Sequence, residues 1–262
     1  MIRSISKSSL ITFLRCAAQW EQIHIYDRRI PPGIAGRRGG SLHKAAEINF
    51  KQKKTSKADL PVGDLMDAAR DHYIHTINQN GVFIPKNFVS EKSKLLNEGL
   101  NATIRLTKLY REEAAPKVQP VLVEEKLEID AGLPWPIVGI IDVYSEDKRL
   151  PDYKSASKSP SKGVADTSLD LTFYAGLVAH HTGEWPEEVS LDYLIDLKDG
   201  AKYSSQVSKR GPEDWANLML RVQLMAQQIE AGIFAPCDPS SWVCSPNYCG
   251  FFRTCRYSIK RR

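Results

Sequence analysis

The stretch Gly139-Ile-Ile-Asp142-Val-Tyr-Ser-Glu-Asp-Lys-Arg-Leu-Pro-Asp152-Tyr-Lys154 decides how the chain is read. It divides into two short strand-like segments around a charged turn, Ser145 to Arg149, and so predicts a β-hairpin. With the turn centred on Asp147, Asp142 and Asp152 fall opposite one another. Facing residues of an antiparallel pair hold their Cβ atoms roughly 4.5–5.5 Å apart, where like charges destabilise. A hard divalent cation between the carboxylates would remove that repulsion. Lys154, two residues beyond Asp152, leaves the strand on the same face. Two acids and a lysine on one face suit phosphodiester cleavage, with cation and ammonium offsetting charge on the phosphate and the attacking water. A D-x-K triplet is short, so an ordinary solvated surface hairpin is the competing reading.

At 262 residues the chain can bury a substantial core, as one large domain or two small ones. Its 42% hydrophobic and 26% charged residues are those of a globular protein. No apolar run approaches the roughly 20 residues that span a bilayer, so no membrane segment is expected. The first residues, MIRSISKSSLITFLRC, lack an apolar core followed by a small-residue cleavage site. A reducing, cytoplasmic setting is therefore expected, where the five cysteines suit metal ligation better than disulfides. The net charge of +5 permits a polyanionic partner without demanding one.

Working outward, Ser8 or Ser9 is placed to cap a helix over residues 10–26 that carries Cys16 inside it. The segment Pro31 to Gly40 reads as a glycine-rich loop, with Arg37 and Arg38 suited to phosphate. A flexible connector explains it equally well. Ser41 is placed to cap the next helix, on which His43 and Glu47 share a face and together could complete a metal site. A polar linker (55–61) and helical patterns over 62–78 and 88–115 suggest an arm with no chemistry of its own.

From Val121 the period becomes that of strands, in VLVEEKLEI, the hairpin and Val189 to Leu197. Lys158 and Lys162 lie in a Ser/Lys-rich loop (155–163) open to a phosphate backbone. A helix over 168–181 carries Asp170 and Tyr174 on one face, with Gly183 to end it; Pro212 opens a last long helix that Gly232 closes. Strands, a crossover helix and another strand imply an α/β sheet flanked by helices.

The last segment holds Cys244, Cys249 and Cys255, separated by four and five residues, with Cys237 just before and Cys16 far away as candidate fourth thiolates. Four thiolates hold zinc or an iron–sulfur cluster, and the wide spacing matches zinc's usual C-x2–4-C poorly. The same tail carries Tyr248, Phe251, Phe252, Arg253, Arg256, Tyr257, Lys260, Arg261 and Arg262, the mix of aromatic faces and cations that single-stranded nucleic acid binds. A solubilising tail is the plainer alternative.

Taken together, the chain resembles the RecB-like branch of the PD-(D/E)XK nucleases that carry an iron–sulfur cluster. That group includes nuclease domains of bacterial recombination helicase-nucleases, CRISPR-associated spacer-processing exonucleases and stand-alone phage exonucleases. The motifs fall in order along nearly the whole chain: Ser6-Lys-Ser8-Ser-Leu10 with Cys16, Gly39-Gly-Ser-Leu-His43, Gly139-Ile-Ile-Asp142, Asp152-Tyr-Lys154, and Cys244, Cys249 and Cys255. The resemblance implies a restriction-endonuclease-like core, a central mixed β-sheet flanked by helices, with a helical N-terminal region. It implies one nuclease domain over residues 1–262, with a helical arm at 50–118, a catalytic sheet at 119–200 and a cluster segment at 237–262 that joins both chain ends.

By the same resemblance, His43, Asp142 and Asp152 bind Mg2+ or Mn2+, Lys154 orients or activates water, and Tyr174 belongs to the catalytic set. Cys16, Cys244, Cys249 and Cys255 hold a [4Fe–4S] cluster, zinc fitting less well, and Cys237 is spare. Arg37, Arg38, Lys158, Asp170, Tyr174 and Arg256 contact DNA. The family's Q-x-x-x-Y motif falls on Asp170-Leu-Thr-Phe-Tyr174, where aspartate replaces glutamine and would repel phosphate. The implied activity is metal-dependent exonuclease action from DNA ends, in recombination, repair, phage DNA processing or CRISPR adaptation. Its partners would be DNA with free or single-stranded ends and recombination or adaptation proteins, in a bacterial, archaeal or virus-infected cell, as a monomer or an oligomer. The alternative is a non-catalytic iron–sulfur module that binds nucleic acid in such a complex. A zinc-stabilised regulatory DNA-binding protein would need a recognition element such as a helix-turn-helix, and the sequence offers none.

Overall fold

A computed structural model of the protein describes residues 2–258. Its chain divides into a larger unit, Pro31–Leu127 with Ile140–Gly211, and a terminal unit, Met1–Ile30 with Glu128–Gly139 and Pro212–Arg262. In chain order the main elements are β1 (Ile5–Ser6), α1 (Lys7–Arg15), α2 (Ala17–His24), α3 (Ile34–Ser56), α4 (Val62–Asn80), α5 (Lys92–Leu109), β2 (Pro120–Ile129), β3 (Ile137–Ser145), β4 (Arg149–Ala156), α6 (Leu169–Thr182), β5 (Glu188–Leu197), β6 (Gly200–Ser208) and α7 (Pro212–Glu230). The strands form two three-stranded sheets, ordered β1-β3-β2 and β4-β5-β6. This is the α/β architecture, helices flanking sheets, of a restriction-endonuclease-like core.

In the larger unit, one residue of the D-x-K triplet organises the core. Tyr153 is out of step with Asp152 and Lys154 by one position, so it points to the opposite face of β4. There it is fully buried, 6.1 Å from the Phe50 ring and 5.4 Å from Tyr110, which themselves meet edge-on at 5.8 Å. Leu42, Ala46, Leu65, Leu106, Val143 and Leu194 complete this cluster. Truncating such a buried aromatic to alanine costs roughly 3–5 kcal/mol. A one-residue slip of β4 would drive two charged side chains into the core, so packing fixes the register of the triplet.

The expected hairpin is not formed. β3 and β4 belong to different sheets, so Asp142 and Asp152 are not cross-strand neighbours. The turn itself exists: Ser145 Oγ accepts from the Arg149 N–H at 3.0 Å, and Lys148 takes φ 57°. Beyond it β4 runs parallel to β5, Asp152 opposite Leu191 and Lys154 opposite Tyr193. The buried Val189, Leu191, Leu194 and Ile195 of β5 claim β4 as their neighbour. β6, which pairs antiparallel with β5, went unread because its AKYSSQVS run is polar on both faces.

Residues 34–40 are helix, not loop. Gly36 belongs there because a Cβ would come within 2.9 Å of the Pro32 Cβ. Arg37 donates to the carbonyl oxygens of Asn80 (3.2 Å) and Gly81 (2.7 Å). Those contacts satisfy carbonyls that the end of α4 leaves free, and they outweigh the loop preference of glycine. Ser41 therefore lies within α3 and does not cap it; its hydroxyl donates to the Arg37 carbonyl at 2.9 Å.

In the terminal unit the helix expected over residues 10–26 is broken. Cys16 is extended, with φ −166° and ψ 100°, between α1 and α2. Ser6 is the cap, its hydroxyl accepting from the Ser9 N–H at 3.2 Å. Ser9 instead accepts from the indole N–H of the fully buried Trp20 at 2.7 Å. Eleven residues of unbroken helix would span about 16 Å, too far for that bond. Trp20 also stacks on Phe234, 5.8 Å away, just past α7.

Candidate active site

Three elements distant in sequence deliver the larger unit's charged cluster. Gly39 and Gly40 precede His43 on α3, and a Cβ at Gly39 would sit 3.5 Å from the Ser155 hydroxyl at the end of β4. His43 Nδ1 lies 3.1 Å from Asp142 Oδ1 of β3. On β4, Lys154 Nζ contacts Asp152 Oδ2 at 2.7 Å, with Asp152 almost wholly buried. The same ammonium donates to Asp170 Oδ2, at 3.0 Å, in the first turn of α6.

Burial works against a charged imidazole at His43, but the hydrogen bond to Asp142 and the charges of Asp142 and Asp152 outweigh it, so His43 is raised above its ordinary value. Burial, then the charges of Asp152 and Asp142, push the Tyr174 phenol far up. It therefore stays a hydrogen-bond donor. Six expected residues, His43, Asp142, Asp152, Lys154, Asp170 and Tyr174, are thus brought within electrostatic reach of one another.

Glu47 accepts from Lys44 at 2.9 Å and Lys51 at 2.6 Å, and although burial would raise its pKa those two bonds lower it. It is a partly buried carboxylate paired with two lysines. Glu124 of β2 is the residue the sequence did not single out. Burial, then the charges of Asp142 and Glu47, raise it to about 7, and its φ of 49° is unusual within a strand. The signal was an acidic Glu124-Glu125 pair interrupting an alternating strand.

The expected DNA-contacting residues separate into three kinds. Arg37 is committed to α4's carbonyls, and Arg38 is buried, 3.4 Å from the Ser157 hydroxyl. Lys158 is exposed in the loop after β4. In the terminal unit, the exposed Arg256 lies over the Tyr257 ring at 4.7 Å. Lys260, Arg261 and Arg262 fall outside the described residues.

The extended backbone at Cys16 aims its sulfur at the C-terminal segment, where it accepts from the Cys237 N–H at 3.4 Å. Cys16, Cys237, Cys244, Cys249 and Cys255 all line one pocket. Cys237, the spare in that expectation, lines the same pocket: burial, then Cys16 and Cys244, push its thiol up to about 12. Cys249 is raised too, first by burial and then by neighbours that include Cys16 and Cys255. Beside the pocket, Trp242 and Tyr248, each 64% exposed, meet edge-on at 4.8 Å, and the Arg15 guanidinium lies 5.9 Å from the Trp242 ring.

Both donor sets fit a metal in their chemistry. Imidazole nitrogen and carboxylate oxygens suit a hard divalent cation, and converging thiols suit zinc or iron–sulfur chemistry. Among the described residues, no three His, Cys, Asp or Glu side chains are already closed around one point as ligands. No helix of the described residues is long and apolar enough to cross a membrane.

The model of the PD-(D/E)XK nuclease superfamily matches residues 4–256. Among solved structures, a Eubacterium rectale protein provisionally described as an exonuclease superposes with a TM-score of 0.60, at 12% identity, over 99% of this chain and 91% of that one. A second, SSO0001, gives a TM-score of 0.38 at 16% identity over 84% of this chain and 96% of that one, and no argument rests on it. No curated protein matches the chain in sequence.

Proposed function

The chain belongs to the PD-(D/E)XK nuclease superfamily, in which divalent cations are generally used, and from that premise we propose that it is a Mg2+- or Mn2+-dependent exonuclease acting on DNA ends. The observation that carries this reading is the convergence of His43, Asp142, Asp152 and Lys154 from α3, β3 and β4. His43, Asp142 and Asp152 would hold the cation, which would supply Lewis acidity toward a phosphodiester. Lys154 offers an ammonium to the phosphate oxygens and to the attacking water. Tyr174, kept protonated beside the Asp142 and Asp152 charges, is available as a hydrogen-bond donor.

The terminal unit is read as the part that meets the strand, and the family match runs through both units, so we treat them as one nuclease domain. Cys16, Cys244, Cys249 and Cys255 would carry a [4Fe–4S] cluster. The Trp242–Tyr248 pair and Arg256 would stack on and attract a single-stranded end, a mode that tolerates any sequence. A role in recombination, repair, phage DNA processing or adaptation follows from the resemblance alone.

The test is hydrolysis of end-labelled linear single- and double-stranded DNA by purified protein, with and without Mg2+ or Mn2+. Parent protein should shorten DNA from its ends only with the cation. Asp152→Ala or Lys154→Ala should fall by about 100-fold or more while still binding DNA. Cleavage by either variant at the parental rate sinks the site assignment. DNA binding without cleavage by the parent would leave the non-catalytic binding module.

A further inference from the structure

Asp170 stands where the resembled family has glutamine, and its carboxylate contacts Lys154, the lysine of the D-x-K triplet. We propose that Asp170 is a positioning residue: it holds the Lys154 ammonium from the start of α6, so that Asp152 can take up the cation while the lysine stays in the site. This rests on the nuclease reading above and adds a role for a residue that reading leaves opposed to DNA.

Lys154 Nζ contacts two carboxylates at once, Asp152 Oδ2 at 2.7 Å and Asp170 Oδ2 at 3.0 Å. An ammonium and a divalent cation compete for the same Asp152 carboxylate, because like charges that close repel strongly where water is scarce. Asp152 is only 5% exposed and Lys154 31%, so the competition is weakly screened. Without a second anion, cation uptake would drive the lysine outward. A neutral glutamine could offer one hydrogen bond but no opposing charge.

Asp170 is well placed for the task. It lies in the first turn of α6, where exposed N–H groups favour a carboxylate. Its backbone is fixed on both sides: Ser168 caps the helix at the Leu171 N–H, and the buried Arg210 donates to Thr172 Oγ1 at 2.8 Å and to the Ala165 carbonyl. The hold on Lys154 is therefore built into the fold. The same carboxylate disfavours phosphate, so it improves chemistry at the expense of affinity. A residue that touched DNA would do the reverse.

The experiment measures Mn2+ affinity by electron paramagnetic resonance and DNA affinity in EDTA, using the full chain, for Asp170→Asn, Asp170→Glu, Lys154→Met and the Asp170→Asn/Lys154→Met double variant. Asp170→Asn should weaken Mn2+ binding about tenfold or more in the parent background and less than about threefold beside Lys154→Met, since the coupling between the two residues is then gone. It should bind DNA about twofold or more tightly in EDTA, one negative charge having been removed, while cleaving more slowly in Mg2+. Asp170→Glu should stay within about threefold of the parent in both affinities. Equal losses of Mn2+ affinity in the two backgrounds would make Asp170 a ligand or a bulk charge and overturn the proposal. Weaker DNA binding by Asp170→Asn in EDTA would overturn it as well. If Asp170→Asn does not fold, Asp170→Gln replaces it in both backgrounds. Neither affinity requires cleavage, so a parent protein inert toward DNA would count against the nuclease reading and leave these outcomes decisive.

Discussion

The two sets of candidate ligands sit on different kinds of scaffold. His43, Asp142, Asp152 and Lys154 stand on a helix and two strands backed by Phe50, Tyr110 and Tyr153, and their charges are already paired with one another. Cys237 to Cys255 run through successive turns, with no helix or strand after Glu230 among the described residues. Apolar burial holds the first set in place whether or not a cation is bound. The second has little to bury beyond Val243 and Phe251 and relies on the closure its thiols can make. The larger unit's charged cluster is preorganised and partly charge-paired, whereas the terminal unit's cysteines are carried on turns.

The largest contrast should follow loss of the thiol centre. Anaerobically purified protein is expected to contain iron and acid-labile sulfide. Cys16→Ala should lose both, whereas Cys237→Ala should keep them. A ligand bond from Cys16 to the tail closes a very long loop, which in theory restricts the unfolded chain most. Hydrogen exchange on Cys16→Ala should therefore show α1 and α2 losing protection while α3 to α5 keep theirs. Uniform loss across both units would erase the distinction, and stoichiometric zinc without iron would replace the cluster with a zinc site.

A smaller effect is expected at the aromatic pair. Stacking is worth roughly 1–3 kcal/mol per base, so Trp242→Ala should weaken single-stranded DNA binding about 5- to 150-fold without loss of iron. Titration against a labelled oligonucleotide decides it, and unchanged affinity would remove Trp242 from the DNA contact.

The smallest effect concerns protons. Glu124 is raised to about 7 from an ordinary 4.5, so between those values the folded protein holds a proton that the unfolded chain has lost. Metal-free stability should fall as pH rises through that window. His43, raised above 6.5, has the same sign: its contribution is present below its ordinary value and fades as pH rises through the folded one. Metal-free Tm should thus decline from about pH 5 to 7, and Glu124→Gln should flatten the slope. A slope that Glu124→Gln leaves intact would remove Glu124 from the site.

Legibility followed local physics. α6 was readable because Ser168 caps it and Gly183, at φ 80°, ends it, both signals lying in the chain itself. β5 was readable from its alternating apolar residues. The pairing of β4 was not, since the choice between β3 and β5 is made by burial that no stretch of sixteen residues contains. Residues 34–40 were misread for a similar reason: Arg37's partners, Asn80 and Gly81, are over forty positions away. The break at Cys16 answers to a hydrogen bond between Ser9 and Trp20. In the candidate site, motif spacing singled out His43, Asp142, Asp152 and Lys154, which fold into one charged cluster, but the commitment of Asp170 to Lys154, the raised Glu124 and the place of Cys237 arise only on folding.

The terminal unit's discontinuity also sets a timetable. Residues 1–30 are made well before their partners in α7 and the cysteine turns. Everything in the larger unit, through Gly211, is synthesised between those two moments. At roughly 5–20 residues per second, several seconds separate a finished larger unit from the arrival of the last cysteine. During that interval Trp20 lacks Phe234 and Cys16 lacks every other thiol of the centre. A nascent chain would thus possess His43, Asp142, Asp152 and Lys154 before its full set of thiols, and delivery of any cluster must wait until Cys255 has been made.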